Sequence, residues 1–332
     1  MHDKQIFILK RLSKGGFCSG EALGEQLSIS RAAVGKHVKA LRELGIDIYS
    51  VPGRGYTLAK PIKLLCDGDI AARMRQFSTN LPVPLVFDTI DSTNQYLLER
   101  LNLNSHTEQA SLEPGQACLA EMQTSGRGRR GRQWASPFAA NLYFSLYWQL
   151  QSGLQGAMGL SLVVGVVVAE TLSNLGVGDV QLKWPNDIYV AGKKLGGILV
   201  ELVGQVGDAC DLVVGVGLNV SMPEDAAKQI DQPWTDLSTV ISKPVDRNVL
   251  AADLLVALEQ ALVEFDGRGF GQFHRRWQDF DLYMDKPVTL AMGDKRITGI
   301  CRGVDSVGAL LVEQNGRITP YMGGEISVRG RT

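Results

Sequence analysis

The residues best suited to chemistry lie in one run of seven, Gly126-Arg127-Gly128-Arg129-Arg130-Gly131-Arg132. Three glycines let the backbone turn tightly and approach a ligand closely. Four arginines add permanently charged planar forks that match the oxygens of carboxylates and phosphates. The run is expected to bind an anion. That anion could be a nucleotide cofactor, a reacting triphosphate or a nucleic-acid backbone.

Gly126, Gly128 and Gly131 satisfy the G-x-G-x-x-G spacing of dinucleotide sites, and Cys118 to Gln123 reads as the strand such a site needs in front of it. The sequel does not fit. A dinucleotide loop opens a helix and meets an acidic residue about twenty positions later. Here Pro137 and a second strand follow, and no Asp or Glu occurs from Gly126 to Ala169. The triphosphate-binding loop also fails, because Gly131 precedes Arg132 and Gln133 rather than Lys and Ser or Thr. The catalytic-loop and metal motifs of a kinase are missing. Arginine-glycine tracts that coat RNA belong to long disordered repeats, whereas this one is single and lies between two apolar stretches. A solvated basic turn without a ligand stays open at this point.

The elements around the loop set its context. A chain of 332 residues implies two or three domains. An apolar content of 45% with 21% charged residues fits a soluble globular protein. The net charge of −1 conceals an asymmetry: residues 1–60 hold ten Lys and Arg against five Asp and Glu, which is +5 and leaves −6 for the rest. Five scattered cysteines, Cys18, Cys66, Cys118, Cys210 and Cys301, show no Cys-x-x-Cys pattern and read as reduced thiols. The amino terminus has no apolar signal core, and Leu160 to Ala169 is too short to span a bilayer. The expectation is a cytoplasmic protein without membrane partners.

Ile6, Ile8, Leu9 and Leu12 predict a first amphipathic helix, and Ala22, Leu23 and Leu27 a second. After a turn at Ser28 to Ser30, Ser30 caps a third helix with Val34, Val38, Leu41 and Leu44 inward and Arg31, Lys36, Lys39 and Arg42 outward, stopped by Gly45. Ile46 to Tyr49 and Tyr56 to Leu58, joined through Val51 to Gly55, form a β-hairpin. The pattern is that of a winged helix-turn-helix over residues 1–62. Ser30, Arg31 and Ala32 would lie nearest base edges, with Lys36 and Lys39 on phosphates. A charged, protein-binding bundle is the alternative. Gly35 weakens the recognition helix by roughly 1 kcal/mol against Ala and offers bases no side chain.

Residues 66–282 alternate strands and helices. Leu85 to Asp88 is a strand, and Asp91-Ser92-Thr93-Asn94 offers caps for the helix that follows. Asn141 to Leu150 is a strand and Gly159 to Leu175 a helix apolar nearly all round. Three further strands, Val180 to Trp184, Lys194 to Val203 and Leu212 to Val220, enclose two polar turns at Lys183 to Asp187 and Lys193 to Gly197. Met222 to Leu237 reads as a long loop and Arg247 to Phe265 as a helix. In residues 283–332, short strands at Pro287 to Ala291, Arg296 to Arg302, Ala309 to Glu313, Arg317 to Tyr321 and Glu325 to Val328 fit a small SH3-like β-barrel. The class is α+β: a winged head, a mixed α/β centre and a β-barrel tail.

Gly126 to Gly131 with Trp134, then Lys183-Trp184-Pro185-Asn186-Asp187, Lys194-Leu195-Gly196-Gly197-Ile198-Leu199-Val200-Glu201, Gly215-Val216-Gly217-Leu218-Asn219 and Gly323-Gly324-Glu325 together resemble the biotin protein ligases. With the winged head in front, the chain is similar to their bifunctional bacterial branch, which also represses the biotin operon. The resemblance runs over practically the whole length. It implies attack of the biotin carboxylate on the α-phosphorus of ATP to give biotinyl-5′-AMP, then transfer of biotin to a lysine of the biotin carboxyl carrier protein. ATP and Mg²⁺ are the implied cofactors. Biotinyl-5′-AMP is the implied corepressor, driving a homodimer onto operator DNA.

By the same resemblance, Arg127 and Arg129 with Gly126 and Gly128 wrap the carboxylate and α-phosphate. Arg130 and Arg132 serve the pyrophosphate, and Lys194 reaches both anions. Asp187 holds Mg²⁺ or the incoming amine, or simply forms a turn with Asn186. Ser92, Thr93, Asn94, Gln123, Trp134, Gly215 and Gly217 form the biotin slot, and Asn219 and Trp234 lie on the adenine side. Ser92 and Thr93 read without the resemblance as helix caps. Gln133 stands where another basic residue would be unsurprising. A lipoate-type ligase and a ligand-sensing transcription factor without ligase activity are the competing readings.

Overall fold

The computed structural model describes residues 3–104, 112–203, 209–228, 230–292, 295–322 and 326–330. The expected Gly323-Gly324-Glu325 motif and the Gly293-Asp294 turn lie outside these residues.

The head is built from α1 (Asp3–Ser13), α2 (Gly20–Leu27), α3 (Arg31–Glu43) and a hairpin of β1 (Ile48–Val51) and β2 (Gly55–Leu58). Ile8, Leu9, Leu12, Leu23, Val34, Val38 and Leu41 supply its core, as their helical spacing predicts. Ser30 caps α3 by accepting a hydrogen bond from the Ala33 N–H at 3.2 Å. Packing does not require glycine at position 35: a Cβ there would lie 3.6 Å from the Tyr56 hydroxyl of the wing, an ordinary contact. Arg42 is not a simple solvated cation, since its Nε donates to Ile48 O at 2.8 Å and ties α3 to the wing.

The centre follows with α4 (Asp67–Met74), β3 (Leu85–Phe87), α5 (Thr93–Asn104), β4 (Ala117–Ala120), β5 (Leu142–Leu150), α6 (Gly153–Gly156), α7 (Leu160–Leu175), β6 (Val180–Lys183), β7 (Asp187–Val190), β8 (Lys193–Val203) and β9 (Cys210–Leu218). α8 (Glu224–Ala227), α9 (Leu237–Val240), α10 (Arg247–Arg268) and α11 (His274–Phe280) complete it. Seven strands form one mixed sheet in the order β3-β4-β5-β9-β8-β7-β6, parallel at β3–β4 and antiparallel elsewhere. α7 is apolar all round because it lies against the sheet on one side and α10 and α11 on the other. α5 covers part of the opposite face, packing Leu97 on Cys118, Tyr147 and Val213.

Two expectations are corrected. The turns expected at Lys183 to Asp187 and at Lys193 to Gly197 are displaced: Asp187 opens a strand, Asp187–Val190, whose two buried residues Ile188 and Val190 are too short a run for their alternation to stand out, and Lys193 to Gly197 is the start of β8. The reversal falls instead at Ala191 and Gly192, both at positive φ. The strand expected to run from Cys118 to Gln123 stops at Ala120, because Glu121 turns inward to a buried partner. Within the expected loop from Met222 to Leu237, α8 makes one helical turn and α9 starts at its end.

The tail is a five-stranded antiparallel sheet of β10 (Pro287–Met292), β11 (Lys295–Val304), β12 (Leu310–Gln314), β13 (Arg317–Tyr321) and β14 (Ile326–Gly330), in the order β13-β12-β11-β10-β14. β11 shifts register between Cys301 and Val304, and β14 returns to pair with β10. That return gives the strand order of a small SH3-like barrel.

Linker and centre meet at one buried ion pair. Arg247 Nη1 donates to Glu121 Oε2 at 2.6 Å and to Asn141 O at 3.1 Å, while Nη2 donates to Lys63 O at 2.9 Å. The second Glu121 oxygen accepts from Leu65 N–H. Asn248 secures the adjoining linker, donating to Leu64 O at 3.1 Å and accepting from Cys66 N–H at 2.8 Å. Glu121 is 1% exposed and Arg247 5%. Removing one member leaves a buried charge without its counter-ion, which costs about 3–5 kcal/mol. Glu121→Ala should therefore lower the unfolding free energy from denaturant titration by that order, whereas breaking an exposed pair such as Lys39–Glu43 should lower it by less than about 1 kcal/mol. Equal effects of the two substitutions would contradict the assignment.

Candidate active site

The site begins as a missing row of side chains. On the α5 face, β5, β9 and β8 place Tyr143, Gly217 and Gly197 in one cross-strand row and Ser145, Gly215 and Leu199 in the next. Side chains alternate faces along a strand, so glycine at these positions hollows out that face. The hollow is a cavity of about 520 Å³, with α5 at one end and the Gly126–Arg132 loop across it. A Cβ on Gly215 would stand 2.1 Å from Asn94 Oδ1, and one on Gly217 would stand 2.6 Å from the Trp134 indole. The glycines make room for Asn94 and Trp134, which become the inner wall.

The polar end of the cavity is a connected set. Ser92 caps α5 by accepting from Gln95 N–H at 3.4 Å, so the capping reading holds locally. Thr93 N–H donates to Gln123 Oε1 at 2.9 Å, and Gln123 Nε2 donates to Ser136 Oγ at 3.0 Å. The Ser145 hydroxyl bonds Asn94 Oδ1 and lies 2.7 Å from Thr93 Oγ1. Ser92, Thr93, Asn94 and Ser145 are buried. The sequence reading missed Ser145; its signal is one small polar residue inside the otherwise apolar stretch Leu142 to Leu146. The Trp134 Nε1–H is buried and, among the described residues, has no partner. Such a donor favours a ligand that supplies an acceptor.

The cationic end is formed by the loop and β8. The loop is a short hairpin: Arg127 pairs with Gln133, Gly128 N–H donates to Arg132 O at 2.7 Å, and Trp134 N–H donates to Gly126 O at 2.9 Å. Arg130 sits at its tip with φ of 59°. Gly126 is required by close packing, since a Cβ there would meet Trp134 O at 2.5 Å. Arg129 Nη1 donates to Asn186 Oδ1 at 3.1 Å. Burial, followed by the neighbouring Arg130, lowers the Arg129 pKa from its ordinary value, with Asp187 acting the other way. A desolvated cation beside a like charge is stabilised by an arriving anion. Lys194 Nζ is held 2.7 Å from Asp187 Oδ1 and 5.5 Å from the centre of the Trp134 ring.

Arg127, Gly128, Arg129, Arg130, Arg132, Trp134, Asp187 and Lys194 all line the cavity together with Ser92, Thr93, Asn94, Gln123, Gly215 and Gly217. Asn219, Trp234 and Gly126 do not. Asn219 is buried and donates to Thr235 O at 3.0 Å, while Lys194 N–H donates to Pro233 O at 3.0 Å, so this segment is zipped along the start of β8. Lys183, Asn186, Tyr189 and Tyr283 also reach the cavity and were not expected from the sequence as functional residues. Among the described residues no three His, Cys, Asp or Glu side chains cluster as a metal site. A single carboxylate, Asp187, suits Mg²⁺ that arrives on nucleotide phosphates. Outside this cavity, Ser30 at the cap of α3 and Arg31, Ala32, Lys36 and Lys39 along it are exposed.

A family model for the biotin/lipoate A/B protein ligase family matches residues 86–219, an HTH domain matches 4–57, and a biotin protein ligase C terminal domain matches 283–329. The bifunctional ligase/repressor BirA of Salmonella typhimurium is 48% identical over 98% of this chain and 97% of its own length. The chain belongs to the biotin/lipoate protein ligase family. The bifunctional ligase/repressor BirA of Escherichia coli is 47% identical over 97% of the chain and 96% of its own length. Among solved structures, the biotin protein ligase of Aquifex aeolicus in complex with biotin and ATP aligns with a TM-score of 0.61 and 30% identity, over 75% of this chain and 99% of that one. In this ligase-family member the two ends of the cavity divide into a neutral hydrogen-bonding pocket and a cationic mouth. If Gly217 exists to seat Trp134, Gly217→Ala should expel the indole. The expected readout is a red-shifted Trp134 emission, taken as the difference from Trp134→Phe. An unshifted spectrum would count against that packing.

Proposed function

We propose that this chain is a biotin–protein ligase that also represses transcription. It activates biotin with ATP to biotinyl-5′-AMP and transfers biotin to a lysine of the biotin carboxyl carrier protein. Its winged head binds operator DNA. The observation that carries the site assignment is the single cavity that sets Ser92, Thr93 and Gln123 at one end against Arg129, Arg130, Arg132 and Lys194 at the other.

In the first step a biotin carboxylate oxygen attacks the α-phosphorus of ATP, and the bond from that phosphorus to the oxygen bridging to the β-phosphate breaks, pyrophosphate leaving with the bonding pair. Both reactants are anions, so fixed cations must offset their repulsion and the charge developing on phosphate. Arg129 and Lys194 face that charge, with Arg127 near the carboxylate and Arg130 and Arg132 near the departing pyrophosphate. Asp187 holds Lys194 in place and is the carboxylate available to Mg²⁺ carried by ATP. The ureido end of biotin meets Ser92, Thr93 and Gln123, and its rings lie along Trp134, Gly215 and Gly217. In the second step the neutral carrier amine attacks the acyl carbon, AMP leaves with the bonding pair, and the nitrogen loses a proton to solvent as the amide forms. Closure of the loop keeps water from the mixed anhydride.

Biotin-dependent exchange of labelled pyrophosphate into ATP tests the enzyme. It should be present with biotin and absent with lipoate; exchange with lipoate alone would favour a lipoate-type ligase, and no exchange a ligand sensor. Arg129→Gly should leave folding intact and cost adenylation about 10²–10³-fold, the scale of one oriented donor at a developing charge, with the adenylate escaping. Unchanged retention would remove Arg129 from the site.

The regulated form is a homodimer assembled when biotinyl-5′-AMP is bound, which would present two α3 helices to a two-fold symmetric operator. Gel filtration with the adenylate should shift the protein to a dimer; a monomer under both conditions would refute this. The cytoplasm is the proposed location. Five free thiols suit it, and no helix among the described residues is long and apolar enough to cross a membrane.

A further inference from the structure

Glu201 lies on the cavity face of β8, two residues beyond Leu199, and the reaction outlined above gives it no task. Its two oxygens are both engaged. Oε1 accepts from Arg127 Nη2 at 2.6 Å, and Oε2 accepts from Asn94 Nδ2 at 3.0 Å. Arg127 Nη1 donates in addition to Gln95 Oε1 at 3.0 Å. Arg127 therefore bonds to the sheet and to the first turn of α5, while Arg129 bonds to Asn186 at the other edge of the cavity. The hairpin between them spans the opening and is tied down at both sides.

The chemistry of this tie calls for a carboxylate. One group must accept from a guanidinium on the loop and from an amide on α5 simultaneously, and a charged acceptor does both more strongly than a neutral one. The pair is partly sheltered, with Arg127 37% and Glu201 22% exposed at their side chains. Asn94, the second partner of Glu201, is also the group for which Gly215 leaves room, and it is bonded by Ser145. The tie is thus continuous with the pocket wall: Arg127, Glu201, Asn94, Ser145 and Thr93 follow one another without a gap.

We propose that Glu201 is a positioning residue that latches the Gly126–Arg132 hairpin over the bound adenylate by holding Arg127, and thereby sets how long the adenylate stays. This rests on the ligase reading of the cavity. The latch uses Arg127 as a structural cation. The loop charge facing the phosphates then falls to Arg129, Arg130 and Arg132.

Full-length protein is loaded with labelled biotinyl-5′-AMP and chased with unlabelled adenylate, and release is compared with the single-turnover rate of adenylate formation. Glu201→Gln should release about tenfold faster, the scale of one charge-assisted hydrogen bond, and slow formation by much less. Glu201→Asp, which keeps the charge, should recover part of the retention. Gln95→Ala, which removes the neutral tie alone, should change release less than the loss of charge does. Arg127→Gln combined with Glu201→Gln should release no faster than Arg127→Gln by itself, because one substitution already opens the latch. Multiplying effects, or wild-type release from Glu201→Gln, would overturn the latch. Arg127→Gln keeps the question answerable if the Glu201 variants fold poorly, since wild-type retention there overturns it too. Wild-type protein without biotin-dependent pyrophosphate exchange would instead overturn the ligase reading, and the latch with it.

Discussion

The Glu121–Arg247 pair fixes where the linker from the head joins the centre. A carboxylate and a guanidinium taken out of water are tolerated when their remaining lone pairs and protons are satisfied. Here Asn141 O, Lys63 O and Leu65 N–H do so. The pair therefore forms when β4, β5, the linker and the start of α10 are all in place. It also decides the path of the chain into the active site. Glu121 leaves the sheet to reach Arg247, and the next residues, Met122 and Gln123, become the stem of the arginine hairpin. Met122 packs against the core of the head, as do Phe138 and Ala139 on the returning side. The loop that covers the substrate thus rises from a base shared with the DNA-binding domain.

From that base the sheet works with two different faces. One is dry, where Leu142, Phe144, Leu146, Val214, Val216 and Leu218 pack under α7 and α10. The other is kept hollow by Gly197, Gly215 and Gly217 and is walled by polar side chains anchored on α5 and β5. A rigid packed face allows the hollow one to exist, because an empty cavity alone forfeits packing. The cavity is therefore as much a property of α7 and α10 as of the residues that line it.

How much of this was legible in the sequence follows from which forces leave a periodic mark. The head was readable because Val34, Val38 and Leu41 repeat at helical spacing and Ser30 caps them. The tail was readable from its alternating strands, although the Gly323-Gly324-Glu325 motif lies outside the described residues. β7 was missed because two buried residues do not make a pattern. Glu121 was missed because a charged residue at a strand end looks solvated until a partner 126 positions away is placed beside it. Within the site, the arginine loop was obvious from residue types. Ser145, Asn186 and Tyr283 were not, since their roles arise from cross-strand register and domain contact, which single residues do not announce.

The carboxylates in a site that must attract two anions have a common explanation. Asp187 beside Lys194 and Glu201 beside Arg127 reduce the field that draws anions in. In return, two long, flexible cations are held at defined positions before any substrate is present, so less ordering remains to be done when it arrives. Arg129 is oriented differently: its Nη1 donates to an amide oxygen, Asn186 Oδ1, rather than to a carboxylate there. Burial and then Arg130 lower its pKa from the ordinary value, while Asp187 acts the other way. The loop divides its arginines accordingly. One is paired with a carboxylate to hold the hairpin, and another is oriented through an amide toward the place where phosphate charge develops.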